Sequence, residues 1–132
     1  VIATLADAIS DLEPVECPLV HRFSEGVYLR QITMPAGSCV VGKIHATKHF
    51  NIILSGHCLV VQSDGKKLDI NGAYTYESDA GIQKCVYAIT DTIWQTVHVT
   101  DETDIDVIES QIIAKDEADL EAKLNLRLRG EK

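Results

Sequence analysis

Two histidines, His45 and His49, flank the polar trio Ala46-Thr47-Lys48 within the stretch from Gly37 to Gly56, GSCVVGKIHATKHFNIILSG. The segments on either side, SCVVGKI and FNIILS, are rich in β-branched residues that suit a pleated surface, so the trio reads as a bend between strands. Imidazoles at the facing ends of adjacent strands can converge on one point, the geometry that a divalent metal or a small polar ligand needs. The plainer alternative is two polar residues beside an ordinary turn. A third histidine, His98, lies in WQTVHV, where Trp94, Thr96 and His98 share one face and Gln95, Val97 and Val99 the other. With the polar face inward, His98 joins the pair in a three-histidine site with an open position; with the valines inward, it is exposed. Tyr74 and Tyr76 alternate along one strand face. Together with Trp94 they either line a pocket for a flat ligand such as a sugar or pack in the core with a hydroxyl at the rim. His57, after the Ser55-Gly56 turn, and His21, beside Arg22, read as surface or structural hydrogen bonders. The sequence carries no Ser-His-Asp order, phosphate loop, EF-hand or nucleotide fingerprint.

These residues need strands to hold them. From Gly26 to Val99 short β runs recur about every ten residues: VYLRQITM, SCVVGKIH, HFNIILS, HCLVVQ, KKLDI, AYTYE, KCVYAI and TIWQTVHV. Turn-like groups such as Pro35-Ala36-Gly37, Asn71-Gly72 and Ser78-Asp79-Ala80-Gly81 separate them. Eight short strands without intervening helices imply a sandwich or barrel. Ahead of them, Ile2, Leu5, Ile9 and Leu12 have helical spacing, and EPVECPLVHRF, with its two prolines, reads as an extended arm hugging the body. Behind them Thr100, Asp101 and Thr103 offer N-cap oxygens to a helix carrying Ile105, Ile108 and Ile112. A last helix puts Leu120, Leu124 and Leu128 on one stripe and ends on Gly130. That stripe packs on its own barrel or on another subunit.

A chain of 132 residues with 45% apolar and 24% charged residues has one globular domain's worth of core. No apolar run is long enough to span a membrane and no charged-then-apolar leader opens the sequence, so the expectation is a soluble protein that is not secreted. Cys17, Cys39, Cys58 and Cys85 stand singly, without a Cys-x-x-Cys pair, and read as reduced, buried apolar residues. The net charge of −8 is concentrated between Asp101 and Glu121, where nine acids face Lys115 alone. Such a surface does not suit non-specific nucleic-acid binding.

Taken together these residues resemble the cupin superfamily, the small double-stranded β-helix barrels. Its first motif runs Gly, five residues, His-x-His, three or four residues, Glu, six residues, Gly. Here Gly37 opens it, Lys43 stands at the first His, His45 at the second, His49 at the Glu, and Gly56 closes it. In the second motif Gly72 is the opening Gly with one extra residue following, Asp79 replaces Pro, Gly81 matches Gly, and Lys84 stands at the His. The resemblance covers residues 26 to 99 and implies a mainly β, antiparallel cupin or jelly-roll barrel over 26–99. An N-terminal helix and arm over 1–25 and C-terminal helices over 100–132 complete a single domain. Of the family's metal positions this chain retains His45 and, as a changed ligand, His49; with His98 from the strand reading above, these are the candidate ligands of a divalent metal (Zn, Fe, Mn or Ni). Lys43 and Lys84, at the two vacated ligand positions, bring positive charge to the barrel mouth and either bind a carboxylate or phosphate without a metal or are solvated. The wording MPAGSCVVGKIHATKHFNIILSG with DTIWQTVHVTDETD is similar to small cupin-like proteins of unassigned function from bacteriophages and bacteria. That narrower resemblance implies host cytoplasm or virion as the location and other phage proteins as partners, with the barrel as an assembly platform as the alternative function. A dimer or higher homo-oligomer is expected, with neither nucleic acid nor membrane as partner.

Overall fold

Short strands with apolar residues at alternate positions bury one face only by pairing into sheets that face each other. The computed structural model, which describes residues 16–130 and side chains through Leu124, does this with eleven strands among the described residues. They are β1 (Leu19–Ser24), β2 (Val27–Met34), β3 (Cys39–Val41), β4 (Ile44–His45), β5 (His49–Ser55), β6 (His57–Gln62), β7 (Lys67–Asn71), β8 (Tyr74–Ser78), β9 (Lys84–Ala88), β10 (Thr92–Val99) and β11 (Ile113–Ala114). One sheet has the order β1-β2-β10-β5-β8, the other β3-β9-β6-β7, and β11 pairs with β4 as a two-stranded clip. All pairings are antiparallel. This is the expected small double-stranded β-helix.

The core lies between the two sheets and is built from Met34, Ile53, Cys58, Val60, Ile70, Val86, Ala88 and Trp94. Asn51, which interrupts the apolar run of β5, is fully buried there. It accepts from Trp94 Nε1 at 3.2 Å and donates to Ser78 Oγ at 2.8 Å, so the polar interruption is satisfied inside the barrel. At the other end helix α1 (Ile105–Ile112) buries Ile108 and Ile112 against Tyr28. Leu120 of helix α2 (Glu117–Gly130) then packs on Ala46 and Ala114 of the same chain.

Three local readings change. Residues 19–24 are a regular strand, β1, paired from Leu19↔Ile32 to Ser24↔Val27, where an arm lying along the body was expected; as an edge strand it is exposed throughout, so its composition carries no alternating signal. The run SCVVGKIH splits in two because the Gly42 amide donates to Lys84 O at 2.7 Å and turns the chain between β3 and β4. The cap of α1 is Asp104, whose carboxylate accepts from the Asp106 and Val107 amides, in place of Thr100, Asp101 or Thr103. The helix expected on Ile2, Leu5, Ile9 and Leu12 and the side chain of Leu128 lie outside what is described.

The turn between β5 and β6 is the tightest in the barrel. Gly56 has φ +105°, and a Cβ there would collide with Asp91 O and lie 2.6 Å from Thr92 Cα. Gly65 has a comparable φ of +90° with open space around it. Replacing Gly65 with Ala is expected to cost about 1 kcal/mol from the backbone alone, whereas Gly56→Ala adds a backbone clash and costs roughly 3 kcal/mol or more. Urea denaturation of the two variants checks this, and equal losses would contradict it.

Candidate functional site

The alternation of β10 puts Thr92, Trp94, Thr96 and His98 inside and leaves Val97 and Val99 on the outer side, so the polar-face-inward arrangement is the one adopted. β5 turns His49 inward from the neighbouring strand, and the bend over residues 46–48 brings His45 beside it. The ring centroids of His45 and His49 are 4.4 Å apart, those of His49 and His98 4.9 Å, and those of His45 and His98 5.6 Å. The backbone of His45 is fixed by a distant part of the chain: it pairs with Ile113 of β11, its carbonyl accepts from the Gly81 amide at 2.7 Å, and the next amide, of Ala46, donates to Ile112 O at 2.7 Å.

Lys84, the first residue of β9, enters this cluster from the opposite sheet and is buried. Its Nζ lies 3.4 Å from His49 Nε2. The other nitrogen of that ring, Nδ1, is 3.0 Å from Thr47 O. A carbonyl can only accept, so Nδ1 carries the proton and Nε2 presents its lone pair to the lysine. His98 Nε2 is hydrogen-bonded to Thr96 Oγ1 at 2.9 Å, and its buried Nδ1 has no hydrogen-bond partner.

His45, His98 and Lys84 form one wall of a cavity of about 180 Å³, while His49 is not on its lining. Ile32, Met34, Val86 and Trp94 make its apolar walls, and Arg30 contributes a second positive charge. No carboxylate among the described residues lies within ion-pair reach of either Lys84 or Arg30. Glu109, the acidic residue on the cavity lining, pairs with Lys43 at 3.6 Å across the exposed mouth. Of the residues singled out in the sequence, His45, His98, Lys84 and Trp94 line the cavity and His49 reaches it through its contact with Lys84, while Lys43 stays at the rim. Tyr74 and Tyr76 do not line the cavity: Tyr74 is exposed, and Tyr76 packs edge-on against Trp94 on the core side. Arg30 and Tyr28 went unnoticed in the sequence; the alternation Tyr28, Arg30, Ile32, Met34 on β2 was the available signal. Tyr28 stacks on His98 at 5.8 Å and its hydroxyl is 2.6 Å from His21 Nδ1.

Burial, reinforced by neighbouring positive charge, pushes the imidazoles far below their ordinary value: His49 to about 4, His98 to about 3 and His45 to about 2. Burial alone lowers Lys84 to about 8. At neutral pH the site is therefore three neutral rings around a cation. Neutral imidazoles are metal donors, yet the arrangement does not fit a divalent ion. His49 Nε2 faces an ammonium, His98 Nε2 faces a hydroxyl, and among the described residues no three His, Cys, Asp or Glu side chains are arranged to hold a metal.

No family model matches the chain, and no curated protein matches it. Among solved structures it is similar to a cupin superfamily protein of Desulfitobacterium hafniense, with 16% identity over 70% of this chain and 86% of that one and a TM-score of 0.54. It is also similar to an RmlC-like cupin of Methanocaldococcus jannaschii, with 12% identity, 69% and 88% coverage and a TM-score of 0.53. A third likeness is to salicylate 1,2-dioxygenase of Pseudoaminobacter salicylatoxidans, in adducts with gentisate, with 10% identity and a TM-score of 0.56. There the match covers 71% of this chain and only 28% of the enzyme. At these identities the likeness is one of fold: the chain has the double-stranded β-helix fold seen in those cupin structures. Among the described residues no helix is long and apolar enough to cross a membrane.

The lowered histidines make stability depend on pH. Between about 6.5 and each lowered value the unfolded chain holds protons that the folded barrel refuses, so stability is full above about 6.5 and is lost as the pH falls towards 4. Each histidine contributes a slope of up to about 1.4 kcal/mol per pH unit. Urea titrations at pH 7 and pH 5 are expected to show this loss, with a smaller difference in His98→Gln, which removes one of the three protons. An equal pH dependence in the variant and the parent would count against the assignment.

Proposed function

We propose that this barrel binds a small organic carboxylate in its internal cavity, without a metal. The observation that carries the reading is two cations, Lys84 and Arg30, on the lining of a largely apolar cavity whose acidic residue, Glu109, is already paired outward with Lys43. A buried positive charge without a counterion favours an anion, and apolar walls strengthen the attraction by excluding water. The unpartnered Nδ1 of His98 offers a further hydrogen bond to a ligand polar group. A divalent ion (zinc, iron, manganese or nickel) is the competing occupant and requires Lys84 to leave His49 Nε2. A reading of the barrel as a phage assembly platform has no such observation in its favour.

Calorimetry with acetate, propionate, phosphate and nickel separates these readings. A small carboxylate is expected to bind, and Lys84→Met or Arg30→Met to weaken it on the order of ten- to a hundredfold, since a hydrogen bond to a charged group contributes about 1.5–3 kcal/mol. Nickel uptake by the unaltered protein with no response to carboxylates would overturn the proposal in favour of a metal site.

We also propose that the barrel self-associates through the outer face of its five-stranded sheet. Leu29, Val97 and Phe50 lie side by side across β2, β10 and β5 by register, and Phe50 is 56% and Val99 90% exposed. A contiguous apolar face of this kind suits a two-fold partner of the same sequence. The C-terminal stripe, by contrast, already has Leu120 buried on its own barrel. Light scattering is expected to give a dimer that Phe50→Asp converts to a monomer; a monomeric parent protein would refute this.

A further inference from the structure

The contact between Lys84 and His49 has a chemistry that anion binding alone does not use. We infer that Lys84 is a nucleophilic amine that forms a reversible imine with a small 2-oxo acid held in the cavity. This inference rests on the carboxylate reading above and adds to it a carbonyl next to the carboxylate.

The geometry supplies the parts. Nζ is buried and hydrogen-bonded to a ring nitrogen whose lone pair is free, because the opposite nitrogen spends its proton on Thr47 O. An amine beside a neutral imidazole has a base within reach. No carboxylate among the described residues ties the amine down as an ion pair. Arg30, on the same lining, takes the acid group and so presents the adjacent carbonyl to the cluster. The walls formed by Ile32, Met34, Val86 and Trp94 give the product an apolar surround on the inner side of the cavity.

The steps balance without an oxidant or reductant. The Lys84 ammonium gives one proton to His49 Nε2, and the freed amine adds to the carbonyl carbon, forming the C–N bond. A second proton passes from nitrogen to the former carbonyl oxygen to give the carbinolamine. The proton on His49 then goes to the hydroxyl group, which leaves as water as the nitrogen lone pair closes the C=N bond. One ammonium and one oxo acid thus become one protonated imine and one water, and His49 returns to its starting state.

The test is reductive trapping on the full chain. The protein is incubated with pyruvate and sodium cyanoborohydride, and the adduct is located by peptide mass mapping. The expected result is a single stable adduct on Lys84, formed on the order of tenfold faster than on exposed lysines such as Lys48 or Lys66, and lost in Lys84→Arg. Adducts spread over the exposed lysines with Lys84 unmodified would overturn the inference. If Lys84→Arg does not fold, the map of the unaltered protein decides alone by the same criterion. Binding of propionate without any adduct from pyruvate would overturn the imine and leave the carboxylate site standing, whereas the absence of both would remove both.

Discussion

A buried ammonium with no carboxylate beside it sets the conditions for everything around it. Moving the Lys84 charge out of water costs several kcal/mol unless something in the interior solvates it. Here the solvation comes from a neutral ring, His49, held in one tautomer by Thr47 O. A protonated His49 could not serve, so the lysine and the histidines depend on each other: burial, reinforced by the cation, keeps the rings neutral, and one neutral ring accepts from the cation. The same mutual dependence opposes a divalent ion, which would need that ring's lone pair.

The frame around this pair is divided in purpose. One end of the barrel is a conventional apolar core in which even the polar Asn51 is fully hydrogen-bonded. The other end opens into the cavity, where histidines and two cations stand against apolar walls and His98 Nδ1 is without a partner. Trp94 stands at the boundary, with its indole N–H anchored to Asn51 and its ring on the cavity wall. The packed end and the cavity are joined through β5 and β10.

Much of this was legible in the sequence, for physical reasons that can be named. Strands β5, β6 and β10 announced themselves because each alternates between a covered and an uncovered face, and the Gly37 to Gly56 spacing placed His45 and His49 at facing strand ends. His98 was ambiguous because valine suits either face of a strand; the register with β5 decides it. Lys84 was located by its place in a motif, but spacing says nothing about burial, so the sequence left a solvated lysine open. Strand β1 was missed because an edge exposed on both sides has no alternation to read. The two-residue β11 was missed because it is defined only by its partner, and the tyrosines stayed open between pocket and core because a shared strand face does not say which end of the barrel it meets.

That partner has a consequence for how the protein is made. The ladder between β4 and β11 joins His45 to Ile113, so the backbone of His45, already held by Gly81, gains a second hold from residues far along the chain. A ribosome delivers residues in order, and long-range pairings of this kind form late. A nascent chain released through β10 already owns Lys84, His49, His98 and the Gly81 contact to His45 and can close both sheets, yet it lacks the pairing of His45 with Ile113. The last hold on His45 therefore comes with β11, after the strands of both sheets, so it is the part of the site most remote in sequence from the histidine it fixes.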